Sequence, residues 1–145
     1  MAAAAAAVQT LDPVAIRWFQ SSDRKICQRI AAEAAMSSYG RAMPERGFAF
    51  TPEAPLEPAE VRLVATVGDE PVGFLELVGS HVSNLFVDPA RQGRGIGSAL
   101  MGAAEETAPG DITLSVFTCN PAARRLYERL GFHFEGLSQT MFHGL

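Results

Sequence analysis

The feature that most constrains this fold is a glycine-rich segment lying between a strand pattern and a helix pattern. Residues 81–87 (HVSNLFV) form a strand pattern that Asp88-Pro89 ends, and RQGRGIGSALMGAAEETA continues as a loop and a helix to about residue 108. Glycine allows tight turns and close approach of a ligand, and the first amides of a helix lack internal partners. Together with the helix dipole, this arrangement predicts a phosphate-binding site.

The predicted ligand contacts come from consecutive loop amides and from two arginines. The expected residues are Arg91, Gln92, Gly93, Arg94, Gly95, Ile96, Gly97 and Ser98. Two nucleotide-binding motifs fit poorly, because the loop has no Walker-type lysine and its glycine spacing is not GxGxxG. The remaining structural interpretation is a glycine turn that only tightens strand–helix packing.

The other patterns along the chain predict one α/β domain. Residues 1–13, with their alanine run, are expected to be a flexible tail, and residues 40–60 a long surface connection. The turn GDEP at 68–71 predicts a hairpin, and Gly131 is expected to end the last helix. Strands are predicted at 14–19, 61–67, 72–78, 81–87, 112–117, 132–134 and 140–142, and helices at 23–36, 98–108 and from Pro121 onward. This order predicts a mixed sheet with helices on both faces.

Composition excludes several classes of function. The chain has 145 residues, of which 12 are basic and 16 acidic, so its net charge of −4 offers no general attraction for nucleic acid. Cys27, Cys119 and the three histidines show no metal-ligand spacing, so no metal is expected, and Cys119 is predicted to be a buried small hydrophobe. No window has membrane length, and the start is a poor signal peptide, so a cytoplasmic protein without membrane contact is expected.

Two segments resemble the cofactor motifs of the GNAT superfamily of acetyl-CoA-dependent N-acetyltransferases. LFVDPARQGRGIGSALM is similar to the motif (Q/R)xxGx(G/A), with Gln92, Gly95 and Gly97 in the fixed positions, and NPAARRLYERLGF at 120–132 is similar to NxxAxxxYxxxGF. The resemblance implies a GNAT-type domain over residues 14–145, with a mixed, mostly antiparallel sheet. It also implies direct transfer of an acetyl group from acetyl-CoA to a primary amine of a small molecule or peptide, and it leaves a homodimer open.

The resemblance also implies roles for particular residues. The loop amides would hold the CoA pyrophosphate, and the backbone of Leu85, Phe86 and Val87 would bind the pantetheine arm. Asn120, an expected helix N-cap, would also hydrogen-bond that arm. Tyr127 would protonate the departing thiolate, since a phenol is protonated at neutral pH.

The general base is left with three alternatives. His81 occupies the position of a glutamate that family members often use, and histidine titrates near neutrality. Glu76 on the preceding strand is the second candidate, and loss of the proton to solvent is the third. Strict alternation places His81 on the face of Ser83 and Leu85, unless a β-bulge shifts the register.

Two other functions compete with the enzyme: a non-catalytic acyl-CoA-binding or sensing domain on the same fold, and a nucleotide-binding regulator. Fold alone does not decide between them. An acidic rim that favours a cationic acceptor is one interpretation of four glutamates in or beside the long connection, and a solvated loop is the other. These glutamates are Glu45, Glu53, Glu57 and Glu60.

Overall fold

The computed structural model describes residues 13–37, 55–115 and 121–133. The chain divides into two compact units, residues 1–115 and residues 116–145. The first unit contains a five-stranded sheet in the order β1-β2-β3-β4-β5, antiparallel except for the parallel pair β4–β5. Its strands are β1 (Val14–Trp18), β2 (Val61–Val67), β3 (Glu70–Val78), β4 (His81–Val87) and β5 (Thr113–Leu114), and its helices are α1 (Arg24–Ala35) and α2 (Ile96–Thr107). The second unit contains α3 (Pro121–Arg129).

Helix α1 covers one face of the sheet because its apolar stripe meets paired apolar residues of the central strands. Val64 and Phe74 are directly paired across β2 and β3, and they are packed with Cys27 and Ile30 of α1 at 0% exposure. The ring of Phe86 adds a tilted contact to Phe74, with centroids 5.6 Å apart. These residues form the apolar core of this face.

Helix α2 lies against the opposite face, where Gly73 permits its close approach. Gly73 neighbours Phe74 in β3, so its side-chain position points to the other face. A Cβ there would lie 2.9 Å from the Phe86 carbonyl oxygen and 3.3 Å from the Ile96 side chain. The predicted α/β architecture, a mixed sheet with helices on both faces, is therefore confirmed.

The β2–β3 turn differs from the predicted GDEP turn at 68–71. The connection is only Gly68-Asp69, both with positive φ (55° and 68°), as two-residue type I′ hairpins require. Pro71 instead lies inside β3, opposite Thr66, where the β2–β3 register shifts. A bulge is one of the few strand positions that tolerate proline, because the ladder hydrogen bond is already interrupted there.

Other element boundaries move by a few residues. A 3-10 turn at Ser21–Asp23 precedes α1, and α2 begins at Ile96 rather than at residue 98. Within the described residues, strand β5 covers Thr113–Leu114, and residues 116 and 117 of the predicted strand 112–117 lie outside them. Phe132 and His133 are not in a strand. The predicted strand 140–142, most of the 40–60 connection and residues 1–12 lie outside the described residues.

Helix α3 ends as its sequence predicts. Gly131 has φ 98°, its amide donates to the Glu128 carbonyl at 3.0 Å, and the Phe132 amide donates to the Tyr127 carbonyl at 3.0 Å. This hydrogen-bond pair is a Schellman motif, which needs a residue with positive φ after the helix. The rings of Tyr127 and Phe132 meet edge to face, 5.9 Å apart, and this contact fixes the tyrosine side chain against the helix end.

Candidate active site

A row of polar side chains crosses the three central strands on the face that α1 covers. Arg62, Glu76 and Asn84 are consecutive cross-strand partners on β2, β3 and β4. Arg62 Nε donates to Glu76 Oε2 at 2.6 Å, and Asn84 Nδ2 donates to Glu76 Oε1 at 2.9 Å. We call these three residues the polar row. It lies beside the apolar core, one step further along the strands.

The charge of the polar row is compensated although Glu76 is only 1% exposed. Burial raises the pKa of the Glu76 carboxyl, and the Arg62 and Asn84 hydrogen bonds act in the opposite direction. Glu57, at the exposed end of the row, accepts from Asn84 Nδ2 at 2.9 Å and from Arg62 Nη2 through its carbonyl at 2.7 Å. A buried carboxylate satisfied in this way is tolerated, because each oxygen has a donor.

A β-bulge in β4 determines where His81 lies. Glu76 pairs with Asn84, but Leu77 pairs with Val82, so Ser83 is an extra residue in the strand. The predicted placement of His81 on the face of Ser83 and Leu85 is therefore wrong, because the bulge shifts the alternation. His81 instead shares the face of Asn84 and the polar row.

The ring of His81 is oriented by a residue of the neighbouring strand. His81 pairs with Thr113 across β4 and β5, and its Nδ1 lies 2.8 Å from Thr113 Oγ1. If Nδ1 carries the proton and donates to this hydroxyl, Nε2 keeps the lone pair that a general base needs. Thr113 thus orients the ring, and its hydroxyl can pair with Nδ1 as an acceptor or as a donor.

The backbone of β4 divides the three predicted pantetheine-binding residues into two groups. The Leu77 carbonyl accepts from Glu60 on the β2 side, so Glu76 and Phe74 direct their backbone groups toward β4. Their partner Phe86 therefore faces β3, whereas Leu85 and Val87 face the other edge of β4. At that edge the described pairing with β5 covers only His81–Thr113 and Val82–Leu114.

The glycine loop has the conformation of an anion-binding helix start. Gly93 and Gly95 have positive φ (81° and 77°), and the Gly95 carbonyl accepts the first helical bond, from Ala99 at 3.0 Å. The amides of the first turn, at Ile96, Gly97 and Ser98, point out of the helix end without an intrahelical acceptor. A Cβ at Gly93 or Gly95 would meet nothing within 4 Å, so backbone conformation rather than close packing requires these two glycines.

The loop side chains differ in how firmly they are held. Arg91 Nη2 forms an ion pair with Glu70 at 3.3 Å, and the Gln92 side chain donates to the Val87 carbonyl at 3.5 Å. Arg94 is exposed at the tip of the loop. The contact of Gln92 ties the loop to the outward-facing backbone of β4, so the two predicted cofactor surfaces are continuous.

The remaining predicted residues are placed as follows. Tyr127 is half-buried on α3, and Asn120 and Cys119 lie outside the described residues. Within 13–37, 55–115 and 121–133, no three His, Cys, Asp or Glu side chains form a group that could hold a metal ion. In the same ranges, no helix has both the length and the apolarity to cross a membrane.

Sequence reasoning missed Arg62, Asn84 and Thr113. A signal for the first existed: one arginine interrupts the apolar strand VRLVATV, and one glutamate interrupts VGFLELV. Opposite charges in two strands of one hairpin favour a cross-strand pair. Asn84 and Thr113 had no such signal. The bulge determines that Asn84 contacts Glu76, and the parallel pairing of β4 with β5 brings Thr113 to His81.

Comparison with known proteins gives consistent matches. A model of the acetyltransferase (GNAT) family matches residues 25–132. The peptidyl-lysine N-acetyltransferase YjaB of Salmonella typhimurium is 43% identical over 91 residues, and YjaB of Escherichia coli is 38% identical over 91 residues. The solution structure of apo-form YjaB from Escherichia coli is similar with a TM-score of 0.70 and 29% identity, covering 91% of this chain and 90% of that one.

The sequence matches to the two curated relatives are partial. Each covers 63% of this chain, and they span 59% of the Salmonella protein and 58% of the Escherichia coli protein. The family match covers both the glycine loop and α3, and therefore includes both of the predicted cofactor segments.

Proposed function

Because this chain belongs to the acetyltransferase (GNAT) family, we propose that it transfers the acetyl group of acetyl-CoA directly to a primary amine. The observation that carries the proposal is the glycine loop, which leads into the first turn of α2 with two positive-φ glycines. The two curated relatives are named peptidyl-lysine N-acetyltransferases, so a lysine side chain of a peptide is the first acceptor to test.

The residues present fit acetyl-CoA. The first-turn amides of α2 suit the pyrophosphate, because they combine unpaired donors with the positive end of the helix dipole. Arg94 adds an exposed positive charge. The outward backbone of Leu85 and Val87 can pair with the amides of the pantetheine arm as an added strand would. Bound acetyl-CoA supplies an activated thioester.

Two side chains complete the proposed chemistry. His81 accepts a proton from the amine at Nε2, with Thr113 holding Nδ1, and the neutral amine then attacks the thioester carbon. The new carbon–nitrogen bond forms as the carbon–sulfur bond breaks, and the Tyr127 hydroxyl donates its proton to the departing thiolate. The amide nitrogen loses one further proton, which passes through solvent and restores the Tyr127 phenol. For His81 the support is the Thr113 contact; for Tyr127 it is the motif at 120–132.

An acceptor screen with acetyl-CoA tests this function. The protein is incubated with a lysine-containing peptide, a polyamine and an aminoglycoside, and release of free CoA is followed with time. Turnover with at least one amine is expected. Binding of acetyl-CoA without turnover of any amine would contradict the enzyme and support the acyl-CoA-sensing alternative.

Replacement of Tyr127 by phenylalanine tests the proton donor. The ring and its contact with Phe132 are retained, while the hydroxyl is lost. Turnover should fall by about 10²- to 10⁴-fold, the usual effect of losing a general acid, with little change in acetyl-CoA affinity. Unchanged turnover under conditions where chemistry limits the rate would assign Tyr127 a structural role.

The pH dependence of kcat/KM tests the base. With His81 as the base, kcat/KM rises with pH along a limb set by the free enzyme. In His81→Ala that limb should disappear or move to the pKa of the amine, while binding of acetyl-CoA is retained. A profile identical to wild type would remove His81 from the mechanism.

A further inference from the structure

The proposed chemistry does not use Glu76, although this buried carboxylate belongs to the strand beside β4. Its two oxygens are engaged by different donors, Arg62 at Oε2 and Asn84 at Oε1. The residue is buried beneath these donors, so an amine has little access to the carboxylate. The contacts of Glu76 therefore suit a residue that holds structure more than one that exchanges protons with a substrate.

Those contacts converge on the bulge of β4. The side chain of Glu76 accepts from Asn84 at 2.9 Å, and its backbone carbonyl lies 3.4 Å from the Ser83 hydroxyl oxygen. Ser83 is the extra residue of the bulge, and Asn84 is the first regularly paired residue after it. Glu76 thus contacts two consecutive residues at the irregularity, from the strand opposite.

The bulge determines the geometry of β4 on both sides. Without it, Leu77 would pair with Ser83, and His81 would move to the face covered by α2, because side chains alternate along a strand. With the bulge, His81 stays on the face of the polar row, while Leu85 keeps its backbone toward the β5 side of β4. One irregularity therefore positions the candidate base relative to the candidate cofactor surface.

We propose that Glu76 is a positioning residue that fixes the β4 bulge through Asn84 and Ser83, and is not itself the general base. The proposal rests on the proposed acetyltransferase function for what the bulge positions, but the bulge can be measured independently. Arg62 completes this arrangement, because its guanidinium compensates the charge of the buried carboxylate that accepts from Asn84.

Nuclear magnetic resonance of the full chain tests the bulge directly. In wild type, Hα–Hα contacts are expected both for Leu75–Leu85 and for Leu77–Val82, which only a bulged register allows. Asn84→Ala should weaken or lose the second contact and retain the first. The double variant Arg62→Met/Glu76→Leu, which removes both charges together so that folding is preserved, should do the same. Persistence of both contacts in both variants would overturn the proposal.

Kinetics distinguish a positioning role from a base. Asn84→Ala should lower kcat/KM for the amine more than tenfold, whereas Glu76→Gln should lower it less than tenfold, because glutamine keeps an oxygen that accepts from Asn84. The basic limb of the pH profile should stay in place in Glu76→Gln. A base would give the reverse order, with a loss of about 10²- to 10⁴-fold and no limb in Glu76→Gln.

Asp23→Asn is the matched control, because it disturbs a buried carboxylate paired with Arg17 outside the polar row. It should leave kcat/KM at the wild-type value, which separates loss of stability from loss of positioning. Wild-type kinetics in Asn84→Ala would overturn the proposal. A wild type that neither binds acetyl-CoA nor turns over an amine would instead overturn the proposed function, and the Hα contacts would still decide whether Glu76 fixes the bulge.

Discussion

The glycine loop and the polar row form two parts of one candidate site by opposite physical means. The loop is exposed, local in sequence and determined by backbone conformation, with Gly93 and Gly95 at positive φ. The polar row is buried, assembled from three strands, and determined by side-chain hydrogen bonds around Glu76. The conformation of the first depends on two glycines, whereas the second exists only when the sheet register is correct.

This difference predicts which property, ligand binding or folding, a substitution in each region changes more. Changes in the loop should alter ligand binding more than folding, because an added side chain at Gly93 or Gly95 meets no neighbour within 4 Å and costs only the backbone strain of a positive φ. Changes in the polar row should alter folding first, because an uncompensated buried charge is costly. Substitutions in the two regions can therefore be sorted by whether acetyl-CoA affinity or the free energy of unfolding moves.

The largest effect is expected for Arg62→Met, which leaves Glu76 buried without its counter-charge. The free energy of unfolding, measured by urea denaturation, should fall by about 3–5 kcal/mol. Glu33→Gln is the control, since Glu33 forms an exposed i,i+4 pair with Arg29 at 3.2 Å. That variant should lose less than about 0.5 kcal/mol. Equal losses in the two variants would contradict the distinction between a buried and an exposed pair.

Gly95→Asp should abolish binding of acetyl-CoA at the glycine loop and leave the hydrogen bonds of the polar row unchanged. Acetyl-CoA at 100 times its dissociation constant should stabilise the wild type by about 2.7 kcal/mol in thermal denaturation. The aspartate places negative charge at the helix start, so this stabilisation should disappear. Gly95→Asn is the matched control, because asparagine also tolerates positive φ but carries no charge. If both variants lost the stabilisation equally, the effect would be steric and not electrostatic.

A smaller loss of stability is expected when the Arg17–Asp23 pair is broken, and the two buried carboxylates, Asp23 and Glu76, should differ in their pH dependence. The hydrogen bond that Arg17 donates to Asp23 is the main cause that lowers the pKa of Asp23, whereas burial raises the pKa of Glu76. A carboxyl whose pKa is lowered on folding stabilises the folded state at pH values above its unfolded-state pKa. That stabilisation is lost as the pH falls through its folded-state pKa. Asp23→Asn should therefore cost about 1.5–3 kcal/mol at neutral pH.

The difference between wild type and Asp23→Asn should close as the pH falls below about 4, near the unfolded-state pKa of aspartate. Glu76 has the opposite effect on the pH dependence of stability. Because its pKa is raised on folding, its contribution is present at pH values below its unfolded-state pKa and is lost as the pH rises through its folded-state pKa. Denaturation curves at several pH values measure both slopes. A difference that stayed constant down to the lowest pH would show that the Asp23 carboxylate does not stabilise the fold through its charge.

The smallest effect is a gain in stability from Gly102→Ala. Gly102 is exposed in α2, and a Cβ there would meet nothing within 4 Å. Alanine is the better helix former, so the free energy of unfolding should rise by about 0.5–1 kcal/mol, and the stabilisation by acetyl-CoA should not change. A loss of that stabilisation would mean that α2 needs flexibility to bind its ligand.

Local patterns predicted much of this protein correctly. The bounds of β4, the cap at Gly131 and the glycine loop before α2 each depend on residues that are close in sequence, so a few residues are enough to specify them. The turn at 68–71 was misplaced because Pro71 suggested a turn residue, whereas the bulge opposite Thr66 lets it enter the strand. Asn120 and the acidic rim of the long connection remain predictions.

By itself, the sequence determined the α/β architecture and the positions of both cofactor motifs, because periodicity, glycine and helix caps are local properties. Only the tertiary structure decided which face His81 occupies, that Thr113 orients its ring, and that Glu76 is enclosed by Arg62 and Asn84. Each of these depends on strand register. A one-residue bulge reverses which side chains share a face, and the register is selected by cross-strand contacts between residues 8 to 32 positions apart.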